Sequence, residues 1–169
     1  AIHAPRQRTS TTAIARTDLN TIRTEQVFVS YARANREFVY QLIDDLRNAG
    51  VDVWVDQSGL TPGTPDWEQA LRDAIRQSKA ILLIATRESR QSPYVKDELA
   101  IAKMYECPIL PVWAEGDQWP DVIPLGYGHY QYIDARASNY ATALEEIQRS
   151  VTGLRGAEQP SEEIGRAHV

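Results

Sequence analysis

Between residues 25 and 152 the apolar positions form short clusters of two kinds, strand-like and helix-like, in alternation. Gln26–Tyr31 (QVFVSY) is a short apolar run that predicts a first strand. Phe38, Val39, Leu42, Ile43 and Leu46 recur at helical spacing, with Gly50 where the helix should end. Val51–Val55 (VDVWV) alternates with period two and predicts a second strand. Asp56–Pro65 holds two Gly and two Pro in ten residues and predicts a loop. Trp67, Leu71 and Ile75 mark a second helix, and the unbroken apolar run Ala80–Ala85 a central strand covered on both faces. Thr86–Ser92 reads as a polar loop, and Pro93 suits the first turn of a helix running to about Glu106. Pro108–Val112 predicts a fourth strand whose prolines lie at its ends or set it toward an edge. Trp113–Gly128 reads as irregular, His129–Asp134 as a fifth strand, and Leu144, Ile147 and Val151 as a last helix.

Five strands alternating with helices predict an α/β domain, a doubly wound parallel sheet with helices on both faces. Ligands bind such sheets beyond the carboxyl ends of the strands, at the topological switch point. Ser30–Asn35, Asp56–Pro65, Thr86–Ser92 and Trp113–Gly128 are therefore the segments to search. Residues 1–24 read as an N-terminal linker or arm, 25–152 as the domain, and 153–169 as a C-terminal tail.

Composition narrows the setting. The 169 residues are 43% hydrophobic and 24% charged, the balance of one globular domain. Cys107 stands alone, so no intrachain disulfide forms, and a reducing, cytoplasmic location is expected. His3, His129 and His168 are scattered, so no zinc site, and no metal, is expected. Apolar runs fall far short of the ~20 residues of a membrane span, and no signal peptide opens the chain. A chain beginning with Ala is expected to be processed or cut from a longer one. Arg6, Arg8, Arg16 and Arg23 against Asp18 give residues 1–24 a charge of +3, and residues 153–169 carry −1. Within a net charge of −5 that leaves −7 on 25–152, which argues against direct nucleic-acid binding.

Several α/β chemistries are excluded by the turn after the first strand. YARAN (31–35) has no glycine, so neither a dinucleotide fingerprint nor a P-loop is present. A receiver domain needs acidic residues there and an Asp ending strand three, where this chain has Ser30, Tyr31, Ala85 and Thr86. No G-x-S-x-G nucleophile elbow occurs.

Four ordered stretches resemble a Toll/interleukin-1 receptor (TIR) domain of the bacterial NAD-cleaving type. They are 27–50, with Phe28-x-Ser30-Tyr31; 51–67, with its Asp, Pro-Gly and following aromatic; 79–102, with Tyr94-x-x-x-Glu98; and 107–113. The resemblance implies the flavodoxin-like, five-stranded TIR fold. It implies cleavage of the nicotinamide–ribose bond of NAD+, giving ADP-ribose or a cyclic isomer, with NAD+ as substrate and no cofactor. Glu98 becomes the catalytic residue, and Ser30, Tyr31, Ala32, Arg33, Gly63, Trp67 and Tyr94 the substrate-binding set. Tyr94 stands where the family usually has Trp. The resemblance also implies self-association through Asp56–Pro65, a sensor domain in the same or a partner chain, and a defence role. A non-catalytic TIR–TIR scaffold is the alternative, and a nucleoside deoxyribosyl transferase a further rival.

The residue chemistry agrees with that assignment. Positions i and i+4 share one helical face, so a ring at 94 and a carboxylate at 98 can flank one ligand. By pattern alone Glu98 reads as a solvated helix glutamate, Trp54 as core, and Trp67 as an anchor of the second helix; the motif supplies the catalytic reading.

Overall fold

The computed structural model describes residues 23–54 and 61–154. Its five strands are β1 (Val27–Ser30), β2 (Val53–Trp54), β3 (Ala80–Ala85), β4 (Ile109–Trp113) and β5 (Ile133–Asp134). They pair in parallel in the order β2-β1-β3-β4-β5, the doubly wound order whose switch point lies between β1 and β3. The helices are α1 (Arg36–Asn48), α2 (Pro65–Gln77), α3 (Arg87–Gln91), α4 (Pro93–Met104), α5 (Trp119–Val122) and α6 (Tyr140–Thr152).

Strand alternation divides the core into two layers. Phe28, Ile81, Leu83 and Ile109 pack against Trp67 and Leu71 of α2 and Val95 and Leu99 of α4. Val27, Val29, Leu82 and Ile84 pack against Val39 and Leu42 of α1 and Ile147 of α6. Each fully buried aliphatic chain contributes about 1.5–3 kcal/mol of transfer free energy, so both faces of β3 hold the sheet to its helices.

Caps explain where several elements end. Gly50, at φ +89, follows the end of α1, with Val51 N–H bonded to Leu46 C=O and Gly50 N–H to Arg47 C=O. Thr64 caps α2 through Trp67 N–H, with Pro65 in the first turn. Ser92 caps α4 in the same way.

Some expectations are corrected. Thr86–Ser92, read as a loop, contains α3, closed by a reciprocal box between Thr86 and Ser89. Its sequence RESRQ has no apolar residue and so shows no helical period. The irregular segment after β4 contains the single-turn α5, with Pro120 in its first turn. β5 is two residues rather than six, because Tyr127 and Tyr130 N–H groups close turns onto Pro124 and Tyr127. Strand β2 begins at Val53, and Val55 lies outside the described residues. Strand β4 is interior, and Pro111 sits within it. Pro108 C=O and Ala114 N–H bond to β3 while Trp113 C=O bonds to Ala135, so the nitrogen of Pro111 is turned toward β5. β5 pairs only with Val112 and Trp113, so no ladder bond is lost there.

Of the residues read as linkers, 1–22 and 155–169 lie outside the described residues, as do 56–60 of the loop. Thr24 N–H bonds to Gln77 C=O, and Leu154, past the expected end of the domain, is buried. No described helix is long and apolar enough to cross a membrane.

Candidate active site

A cavity of about 600 Å³ opens beside the carboxyl end of β1. Its walls come from β1 (Phe28, Val29), the turn after it (Tyr31, Arg33), α1 (Arg36, Tyr40, Ile43), β2 (Trp54), Pro62, α2 (Trp67, Leu71), and Ser92, Tyr94 and Glu98. Its size falls in the ordinary range for a small-molecule site.

Helix α4 brings Tyr94 and Glu98 to one wall, one turn apart. The Glu98 carboxylate accepts a 2.7 Å hydrogen bond from the Ser30 hydroxyl, across 68 residues of chain. Tyr94 is 50% exposed and meets buried Trp67 edge to face. Trp67 therefore serves both readings, as core anchor and as cavity wall.

Other parts of the lining are basic and aromatic. Arg33 and Arg36 face the cavity against the single carboxylate of Glu98. The Tyr31 hydroxyl is pushed up to about 12, first by burial and then by its hydrogen bond with Tyr40. Tyr31 is thus a neutral phenol, a donor rather than a base, near neutral pH.

Of the residues expected from sequence, Tyr31, Arg33, Trp67, Tyr94 and Glu98 share this cavity. Ser30 does not line it; it is fully buried behind Glu98. Ala32 is also buried, and Gly63, at φ +87, turns the chain into α2 while its neighbour Pro62 lines the wall. Trp54, expected in the core, is half-buried, stacks on Phe28 at 5.1 Å and lines the cavity. Arg36 and Tyr40 were not singled out by sequence reasoning. Their signal was an i, i+4 pair on α1 lying off its apolar stripe, with Tyr40 52% exposed.

The turn bearing Arg33 is held by buried Asn35. Its amide donates to Glu88 (2.9 Å) and Glu115 (3.2 Å), and its carbonyl accepts from Thr86 (2.7 Å). Asn35 consequently makes no side-chain cap on α1. The bond from Asn35 leads the lowering of the Glu88 carboxyl, while hydrogen bonding to Glu88 leads the raising of Glu115.

The order 2-1-3-4-5, with a ligand-sized cavity beside its switch point, defines a flavodoxin-like α/β domain. The family model described as TIR domain matches residues 27–148, and the chain belongs to that family. The TIR domain of the Toll-related receptor TRR-2 from Hydra magnipapillata is similar in structure, at TM-score 0.62 and 21% identity, over 75% of this chain and 98% of that one. A metazoan TIR-STING receptor from C. gigas in complex with 2′,3′-cGAMP matches at TM-score 0.60 and 20% identity, over 76% of this chain and 40% of that one. At these identities both likenesses concern the fold. The comparison with curated proteins finds no match.

Proposed function

We propose that this TIR domain is an NAD+ glycohydrolase that cleaves the nicotinamide–ribose bond. One observation carries the reading: Glu98 faces a nucleotide-sized cavity one helical turn from half-exposed Tyr94. Nicotinamide in NAD+ is a cationic leaving group. When the C1′–N1 bond breaks, its electron pair passes to the ring nitrogen, so no strong general acid is needed. Glu98 hydrogen-bonds the ribose hydroxyls and stabilises the positive charge that develops at C1′. Tyr94 and Trp67 present rings to a flat base, and Arg33 and Arg36 present guanidinium groups to the diphosphate. Water attacking C1′ gives ADP-ribose and releases one proton; attack by an adenine nitrogen gives a cyclic isomer instead. NAD+ is the substrate, and this chemistry calls for no further cofactor.

In this reading the domain self-associates through Asp56–Pro65, in the cytoplasm, under a sensor domain in the same or a partner chain, as part of a bacterial defence system. The test is nicotinamide release from NAD+ at high protein concentration, with and without a crowding agent. Release that is lost in Glu98→Gln supports the enzyme. No release under any assembling condition overturns it and leaves a TIR–TIR scaffold.

A further inference from the structure

We infer that Ser30 is a positioning residue for Glu98, holding the carboxylate in the cavity rather than meeting substrate itself. In its kinetic arm this rests on the NAD+-cleaving reading; in its spectroscopic arm it does not.

Strand alternation places Ser30 on the same face as Phe28, toward α4. Every other residue of β1 is apolar and buried, so a hydroxyl at this position needs a partner. That partner is the Glu98 carboxyl, at 2.7 Å, a well-formed O–H···O hydrogen bond. Ser30 has no exposed surface and does not line the cavity, so a bound ligand does not reach its Oγ. The anchor is rigid, because β1 is paired on both sides, to β2 and to β3. A glutamate side chain has three rotatable bonds, and a bond to a fixed strand removes much of that freedom before substrate arrives.

Ser30→Ala and Ser30→Thr test this. Alanine removes the hydroxyl and threonine keeps it. Nicotinamide release in Ser30→Ala should show kcat lower by about 10- to 100-fold, the loss of one hydrogen bond to a charged group, with KM within about twofold and Tm nearly unchanged. Threonine should recover most of the rate. A second readout is the titration of the Glu98 carboxyl followed by ¹³C NMR. Loss of a donor to the ionised form moves its midpoint to higher pH in Ser30→Ala. The other ionisable groups on the cavity wall, Tyr31 and Arg33 after β1, Arg36 and Tyr40 from α1, and Tyr94 on α4 itself, are the same in both proteins. An unchanged midpoint overturns the assignment, even if the protein proves to have no NAD+-cleaving activity. A rise in KM alone, at constant kcat, also overturns it by returning Ser30 to substrate contact. Activity in the wild type that is lost in Glu98→Gln but kept in Ser30→Ala sinks the positioning role and leaves the proposed function standing.

Discussion

Tyr94 meets Trp67 edge to face, with ring centroids 5.5 Å apart and planes 78° to one another. The Trp67 ring, on α2, is buried in the core, and the Tyr94 ring is half in solvent on the cavity wall. The two should therefore separate under mutation. Trp67→Ala should cost about 3–5 kcal/mol of stability and lower Tm strongly. Tyr94→Ala should leave Tm nearly unchanged and reduce nicotinamide release by less than Glu98→Gln, and Tyr94→Trp should be tolerated. Equal Tm losses in the two alanine variants, read by calorimetry, would remove the division of roles.

Arg33 and Arg36 are both largely in solvent and both face the cavity. A screened ion pair at such a site is worth about 1 kcal/mol or less. Arg33→Ala and Arg36→Ala should each raise KM for NAD+ by up to about fivefold, with kcat held. Nicotinamide riboside, which has no phosphate, should show no such change. A fall in kcat with KM fixed would place the arginines in the chemical step instead.

Stability should depend on pH with two signs. Asp134 is held below its ordinary 3.8, chiefly by the hydrogen bond from Arg136. The folded state therefore binds that proton less readily, and this stability is lost as pH falls below about 3.8 through the folded value. Glu115 is raised above its ordinary 4.5 by Glu88. Its proton is kept longer in the folded state, so stability is lost as pH rises from 4.5 through the folded value. Glu115→Gln mimics the protonated form, and its Tm advantage over wild type should be larger at pH 7 than at pH 4. A constant difference across that range would show that Glu88 does not raise the Glu115 carboxyl in the folded state.

Asp56–Pro65 holds Gly59, Gly63, Pro62 and Pro65, a turn-forming composition, and the proposed function gives this loop the contact between copies. Specific activity should rise with protein concentration and with crowding. Full specific activity in dilute monomer, measured after size-exclusion chromatography, would show that assembly plays no part.

The α/β class, the extent of β3 and the start of α4 were legible in the sequence; α4 ends at Met104, short of the expected Glu106. The unbroken run Ala80–Ala85 requires apolar cover on both faces, and Pro93 marks the first turn of α4. The i, i+4 spacing of Tyr94 and Glu98 was equally legible, because helix geometry alone puts them on one face. Helix α3 was not, because RESRQ shows no period and is held by the Thr86–Ser89 box and by the hydrogen bond from Arg90 to the Pro120 carbonyl of α5.

Periodicity and capping act over two to five residues, so the sequence alone determined the alternation of strands with the longer helices, and hence the doubly wound class, but not the short α3 and α5. The tertiary structure decided what those segments bring together. Ser30 sits behind Glu98 rather than in the cavity, Trp54 packs against the core and also lines the wall, and Arg36 and Tyr40 line the same cavity as Tyr94 and Glu98. Each of these depends on the distance between β1, β2, α1 and α4, which is set by how the two core layers pack and not by the spacing of residues along the chain.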